Sequence, residues 1–204
     1  MARTPNERQP NPFSVFTEPS RTSTTTSSEI QSLTRTNISR YIKCHCKLPY
    51  AEEFRKHYLY YNKYSPAKVW QMIGGNLEEG YGINSPDGVQ DTCATRASYA
   101  LNKSGKLIPS NAPGANMNHA DNRRYILSAR EMNNYLKQTL GKPDYVLTSS
   151  EDFYKLKYAM NHEHLFIMAS NKHVAIVTHD YDDGGAARTL GNVWFLPTRK
   201  CNCG

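Results

Sequence analysis

Residues 165–177 read LFIMASNKHVAIV and decide the fold class. Two short apolar runs of the kind found in β-strands flank a polar turn in this stretch, and a third such run covers residues 193–196. The residues before 161 instead carry helical spacing and helix caps. Because helices come first and strands second, the sequence predicts an α+β fold with N-terminal helices packed on a small antiparallel sheet.

The first clear helix begins at Ser65 and Pro66. A serine followed by proline is typical of an N-cap and the first helical position. Gly74 and Gly75 are then expected to end this helix, and residues 76–90 to form a polar loop.

Two later helices carry their own start and stop signals. Ser128 and Glu131 form a capping-box pattern, and Gly141 is a stop signal. A shorter helix is predicted over residues 151–160. Between Gly105 and Ser128 the sequence predicts a long loop.

Composition divides the chain into two parts. Residues 1–42 are rich in serine, threonine and proline and predict a flexible leader, while residues 43–204 are assigned to the folded domain. The start of the chain lacks the apolar segment of a secretory signal, and no apolar stretch approaches the roughly 20 residues of a membrane span. We therefore expect export by a non-Sec route and no membrane span, with the leader as a docking segment for secretion machinery.

Charge favours anionic partners. The 204 residues carry 25 lysines and arginines against 18 acidic residues, a formal net charge of +7. No RNA-binding, zinc-finger or basic-zipper pattern accompanies this charge, so nucleic acid is not the expected partner. A basic binding module for nucleic acid or cell-wall polymer remains the non-enzymatic alternative.

Cys93 is the candidate nucleophile. It lies at the predicted start of a helix that Asp91 or Thr92 could cap. Unpaired backbone N–H groups and the helix dipole at such a place favour thiolate and predict a pKa below about 8.5. The alternative is a small buried apolar side chain, the common state of a free cysteine.

His173 is the candidate base, since it opens the second strand and could face a cysteine at a helix tip. A carboxylate is needed to hold the imidazole in one tautomer. Asp183 fits a tight hairpin near Thr178 best, Asp182 comes next and Asp180 is the third choice; all three could also be solvated turn residues.

The other four cysteines form two CxC pairs, Cys44 with Cys46 and Cys201 with Cys203. Disulfides between the pairs would tie the start of the domain to its end, and are favoured in an oxidising compartment. Four thiolates could instead bind zinc.

The residues around Cys93 resemble the signature of type VI secretion amidase effectors, family 4. The resemblance covers roughly residues 50–197, and its elements follow in the family's order: WQMIGG at 70–75, CATRASYALN at 93–102, Ser104-Gly105, Ile108, Ala120-Asp121-Asn122, Tyr125-Ile126, Met132, Tyr135-Leu136, Gly141-Lys142-Pro143-Asp144, His173-Val174 and Trp194-Phe195-Leu196-Pro197.

The resemblance implies a papain-like, NlpC-type cysteine amidase. Such an enzyme cleaves the γ-D-glutamyl-meso-diaminopimelate bond of peptidoglycan stem peptides as an antibacterial toxin, acts in the periplasm of target bacteria, needs no cofactor or metal and is neutralised by a cognate immunity protein. Cys93 would be the nucleophile, His173 the base and an aspartate beyond it the third member.

Two features depart from the family pattern. The segment after His173 is shorter, so the third member of the triad could be Asp183, Asp182 or Asp180. Lys172 stands where the family has a glycine. A papain-like protease or a transglutaminase is the alternative enzyme.

Overall fold

The structure is a computed structural model that describes residues 38–86 and 88–202. Most of the leader and Cys203 lie outside these residues. After a 3-10 turn at Ile38–Arg40, the helices are α1 Ala51–His57, α2 Pro66–Ile73, α3 Gly75–Tyr81, α4 Cys93–Lys103, α5 Ala129–Leu140, α6 Ser150–Ala159 and α7 Ala186–Thr189. The strands are β1 Ala115–Asn118, β2 Arg123–Ile126, β3 Tyr145–Leu147, β4 Leu165–Ala169, β5 Val174–Thr178 and β6 Gly191–Phe195.

Four of the strands form an antiparallel sheet in the order β3-β6-β4-β5. β4 and β5 are neighbours joined by a short turn, so His173 lies at the start of β5 beside the end of β4. The expected α+β fold, with early helices on a small antiparallel sheet, is confirmed. In the part of the chain that the structure describes, no helix has the length and apolarity to cross a membrane.

The central strands are buried on both faces, which explains their unbroken apolar sequences. Alternate residues such as Ile167 and Ile176 point to one face, where α4 and α5 pack. Their neighbours, such as Phe166 and Val177, point to the other face, which Phe153 and other residues of α6 and α7 cover. The sheet is thus held rigidly between helix layers, and the edge that carries His173 is fixed against α4.

The strongest helix signals are confirmed. Ser65 Oγ accepts the Lys68 N–H at 3.3 Å, and Ser128 Oγ accepts the Glu131 N–H at 3.2 Å. α5 ends before Gly141, which has φ +78. The predicted helix over residues 151–160 appears as α6, shifted by one residue.

Two loop predictions were wrong. Gly74 and Gly75 both have positive φ, and they redirect the chain into α3 rather than into a loop, because Leu77 then packs in the core beside Trp70. The predicted long loop before Ser128 contains the hairpin of β1 and β2. Its strands are four residues long and only partly buried, so their sequence lacks the apolar alternation that signals a strand.

The start and end of the domain are joined covalently. Cys44 and Cys201 form a disulfide, which confirms the expected cross-link between the two CxC pairs for these two residues. Non-covalent contacts support it, because His45 Nε2 lies 2.9 Å from both carboxylate oxygens of the buried Asp144. The segment before α1 is thereby held against the body of the domain.

We predict that the Cys44–Cys201 disulfide contributes about 2–5 kcal/mol to the free energy of unfolding. It closes a loop across a sequence separation of 157 residues and so restricts the unfolded chain. Because Cys46 is also disulfide-bonded and could keep the loop closed, the difference is measured by urea unfolding with Cys46→Ser and Cys203→Ser as background. In that background the protein with Cys44 and Cys201 is compared with the protein in which both are serine. Lys200→Ala, an exposed change beside Cys201, should stay within about 0.5 kcal/mol of its parent protein. Equal stability of the two proteins would contradict the prediction.

Candidate active site

Cys93 is the first residue of α4, with Thr92 at the N-cap. The cap is made by Asp91, whose Oδ1 accepts the Cys93 N–H at 3.1 Å, while Thr92 Oγ1 instead accepts a bond from Arg96 Nε at 2.9 Å. The Cys93 residue is only 2% exposed. The thiol is therefore held rigidly at the N-terminus of a helix.

The sulfur of Cys93 lies where α4 meets β5. It accepts hydrogen bonds from the backbone N–H groups of Ala94, in its own helix, and of Val174, the first residue of β5. Val174 directly follows His173. The two candidate catalytic residues, 80 positions apart in sequence, are thus brought to one place by the packing of α4 on the sheet.

The state of the thiol differs from the sequence prediction. Burial is the main cause, and the Asp91 carboxylate adds to it, so the pKa of Cys93 is raised to about 12. Hydrogen bonds from Ala94 and Val174 act in the opposite direction but are weaker. The prediction of a lowered pKa was wrong, because the helix dipole does not offset desolvation and a carboxylate beside the sulfur. At neutral pH the thiol is protonated.

His173 pairs with Asp183. Its Nε2 lies 2.6 Å from Asp183 Oδ2, and the two side chains are 15% and 2% exposed. The turn after β5 makes this possible: Thr178 and Tyr181 exchange hydrogen bonds and reverse the chain, which brings Asp183 back to the ring. Of the three aspartates considered, the structure brings Asp183 to the imidazole.

Asp183 is held as a carboxylate. Burial alone would raise its pKa, but the hydrogen bond and charge of His173, together with the N–H groups of Gly185 and Ala186, lower the pKa on balance. Asp183 Oδ1 accepts those two N–H groups at 2.9 and 3.3 Å. An ionised acceptor with these fixed donors keeps the imidazole in one orientation.

The other two aspartates lie elsewhere. Asp182 forms a close, partly buried ion pair with Lys157 of α6. Asp180 is exposed and lies 2.8 Å from His162 Nδ1. Neither is hydrogen-bonded to His173 in the described part of the chain.

Two neighbours of the site, Arg96 and Gly185, were not singled out by the sequence. The Arg96 guanidinium is fully buried, 3.8 Å from the centre of the Tyr61 ring, and donates to the backbone oxygens of Leu59 and Tyr64. It ties the residues after α1 to the nucleophile helix. At Gly185 a Cβ atom would lie 2.7 Å from His173 Nε2, so the ring needs a glycine there. A buried arginine and a close glycine contact have no local sequence pattern.

Comparisons with known proteins show which family the chain resembles. The family model described as "Type VI secretion system (T6SS), amidase effector protein 4", or Tae4, matches residues 89–174, a span that includes both Cys93 and His173. Over this span the chain is similar to the Tae4 family. This similarity confirms the family resemblance and the enzyme class, an amidase effector, and so a hydrolase, that acts on peptidoglycan.

Solved Tae4 structures have the same fold. Tae4 from Salmonella typhimurium, in complex with the immunity protein Tai4 from Enterobacter cloacae, is 27% identical, with a TM-score of 0.52 over 73% of this chain and 99% of that chain. Tae4 from Enterobacter cloacae, in an effector–immunity complex with Tai4, is 18% identical, with a TM-score of 0.54 over 74% and 99% of the two chains, and supports the fold alone. No curated protein matches the chain.

We predict that alkylation of Cys93 by iodoacetamide speeds up continuously as pH rises from 7 to 10. The thiolate is the reactive form, and a thiol with a pKa of about 12 gains roughly tenfold in thiolate per pH unit throughout this interval. Quantifying the Cys93-containing peptide by mass spectrometry gives the rate. Limited access to the sulfur would lower the alkylation rate at every pH by the same factor, so the pH dependence would keep its shape. A rate that stops rising near pH 8.5 would contradict the raised pKa.

Asp91→Asn supplies the matched comparison. It removes the charge beside the sulfur but keeps an oxygen that can accept the Cys93 N–H, so alkylation at pH 8 should rise by about two- to tenfold. Asp182→Asn makes the same chemical change at a carboxylate paired with Lys157 and should leave the rate unchanged.

Proposed function

We propose that this protein cleaves the γ-D-glutamyl-meso-diaminopimelate bond of stem peptides, with Cys93 as nucleophile, His173 as base and Asp183 as the residue that orients the base. The observation that carries the proposal is the 2.6 Å contact between His173 and the buried Asp183, next to the strand residue whose N–H touches the Cys93 sulfur. A thiol beside an imidazole whose other nitrogen is bonded to a carboxylate is sufficient for acyl transfer.

The tautomer of His173 follows from its partner. An ionised carboxylate accepts hydrogen bonds only, so Asp183 fixes the proton of the neutral ring on Nε2. Nδ1 is then the basic nitrogen. It has no hydrogen-bond partner among residues 38–86 and 88–202, which leaves it available to the thiol and the substrate.

The raised pKa of Cys93 sets the order of events. Because the resting thiol is protonated, the sulfur loses its proton to Nδ1 of His173 as it attacks the amide carbonyl carbon. The imidazolium that results, stabilised by Asp183, then protonates the departing amine of diaminopimelate. The glutamyl thioester left on Cys93 is hydrolysed by a water that gives its proton to His173. The γ-carboxyl group is released and the thiol is regenerated.

The developing oxyanion is stabilised by the N-terminus of α4, which presents backbone N–H groups and the positive end of the helix dipole. The Cys93 N–H, the expected donor, is bound to Asp91 at rest. Substrate binding therefore has to displace the Asp91 carboxylate. This exchange both frees the donor and removes a charge that holds the thiol in its protonated form.

The partners follow from the same assignment. The related Salmonella and Enterobacter effectors are found in complexes with Tai4 immunity proteins, and we propose a cognate immunity protein for this chain. We also propose delivery by the type VI machinery rather than by the Sec route, with the leader as the docking segment. The net charge of +7 favours retention near the anionic wall, an effect that salt should weaken.

We predict that the protein converts disaccharide tetrapeptide muropeptides into a disaccharide dipeptide and a diaminopimelate-containing dipeptide. Liquid chromatography with mass spectrometry identifies both products. Cys93→Ala and His173→Ala should each abolish turnover, since among the described residues Cys93 is the one free cysteine and His173 is the one histidine bonded to Asp183. Cleavage at another bond would refute the substrate assignment, and full activity in Cys93→Ala would refute the mechanism. Turnover of denatured proteins without muropeptide cleavage would favour the protease alternative.

Asp183→Asn should lower kcat by about 10²- to 10⁴-fold, because an amide cannot stabilise the imidazolium and can favour the wrong tautomer. Asp182→Asn is the matched control: it changes the adjacent residue in the same way and should keep activity within about threefold of wild type, since its partner is Lys157. Steady-state assays on muropeptides compare the two. A larger loss in Asp182→Asn than in Asp183→Asn would overturn the choice of Asp183.

A further inference from the structure

A second group of side chains with metal-binding chemistry lies outside the active site. His162, His179 and Asp180 each offer one ligand atom, and these atoms all lie within 4.8 Å of one another. His162 belongs to the loop between α6 and β4, and the other two directly follow β5. We propose that these three residues bind one divalent transition-metal ion, with zinc the best fit, and that the ion clamps the two loops together.

The ligand types fit such an ion. Imidazole nitrogen and carboxylate oxygen are good zinc ligands, and two histidines with one carboxylate leave the fourth tetrahedral position to water. Ligand atoms that each lie roughly 2.1 Å from one ion are at most about 4.2 Å apart, so small side-chain rotations bring the 4.8 Å group into range. His162 Nδ1 and Asp180 Oδ2 are already 2.8 Å apart.

The two histidine rings supply a second observation. They meet edge to face with centroids 5.0 Å apart, and His179 Nδ1 is buried without a hydrogen-bond partner among the described residues. A buried polar nitrogen without a partner costs stability. Coordination at this nitrogen would satisfy it, and coordination at Nε2 would fix its proton and ring orientation.

The surrounding backbone holds the ligands in place. Arg55 of α1 donates from its guanidinium to the carbonyl oxygens of His162 and His164, which fixes the first loop. Thr178 and Tyr181 exchange hydrogen bonds across the turn that contains the other two ligands. Only side chains have to move for an ion to bind.

The position of the site gives the ion a role. Asp180 is three residues before Asp183, and the turn between them brings Asp183 to His173. An ion that joins His162 to His179 and Asp180 would restrict this turn. The ion is thus structural: it stabilises the segment that presents the orienting carboxylate and takes no part in bond cleavage.

The test uses the full-length, untagged Cys93→Ala protein, in which zinc cannot bind the active-site thiol. After treatment with a chelator, this protein should bind ZnCl₂ with one-to-one stoichiometry in isothermal titration calorimetry, and zinc should raise its Tm. His162→Gln and His179→Gln, each added to this background, should weaken binding by at least roughly tenfold and remove the shift in Tm. His119→Gln, an exposed histidine in the β1–β2 turn, is the matched control and should change the affinity less than twofold.

The His162→Gln and His179→Gln variants could lose zinc binding because they fold poorly. A second measurement therefore uses the Cys93→Ala protein without these changes. Zinc should shift the imidazole nitrogen resonances of two histidines, His162 and His179, in ¹⁵N NMR spectra. Co²⁺ should give the weak visible bands of nitrogen and oxygen ligands without a thiolate charge-transfer band. Absence of saturable binding, unchanged binding in the His162→Gln and His179→Gln variants, or shifts confined to other histidines would overturn the proposal.

Discussion

The proposed active site depends on the contact between His173 Nε2 and Asp183 Oδ2 at 2.6 Å. Without it the imidazole would have two tautomers and free rotation, and the protonated ring would have no partner. The fold produces this contact, because His173 directly precedes β5 and a tight turn follows the strand. The N–H groups of Gly185 and Ala186 then donate to the other carboxylate oxygen of Asp183. Gly185 gives the ring the space it needs.

Two carboxylates near the thiol have opposite effects. In the proposed mechanism Asp183 acts through His173 and stabilises the positive charge that forms when the thiol gives up its proton. Asp91 lies directly beside the sulfur and raises the pKa of Cys93, and it also binds the N–H that an oxyanion would need. Burial and Asp91 therefore favour the neutral thiol at rest, and the proposed mechanism requires that Asp91 be displaced when substrate binds.

The sequence predicted the elements that have strong local signals. The capping box at Ser128, the serine and proline at the start of α2 and the apolar strands β4 and β5 all appear where expected, because each depends on side chains close together in the chain. α3 and the β1–β2 hairpin could not be predicted in this way. Leu77 is placed by packing against a distant tryptophan, and the hairpin strands are half-exposed and short.

The candidate site was predicted to a similar extent. Cys93 and His173 were suggested by their positions at a helix start and a strand start, and Asp183 was the first of three choices. The state of the thiol was not predictable, since the pKa of Cys93 depends on its burial and on where the Asp91 carboxylate points. Arg96 and Gly185 act through contacts with residues far along the chain or across a turn. Such contacts exist only in the folded molecule.

In the proposed mechanism Cys93 carries the acyl group during catalysis. Rapid quenching in acid after mixing enzyme with muropeptide, followed by peptide mass spectrometry, tests this directly. The proposed mechanism predicts a transient thioester on Cys93 whose added mass equals that of the released disaccharide dipeptide less one water. This adduct should form and decay in step with product release. Product release with no adduct on Cys93 at any time, or an adduct on a different residue, would contradict it.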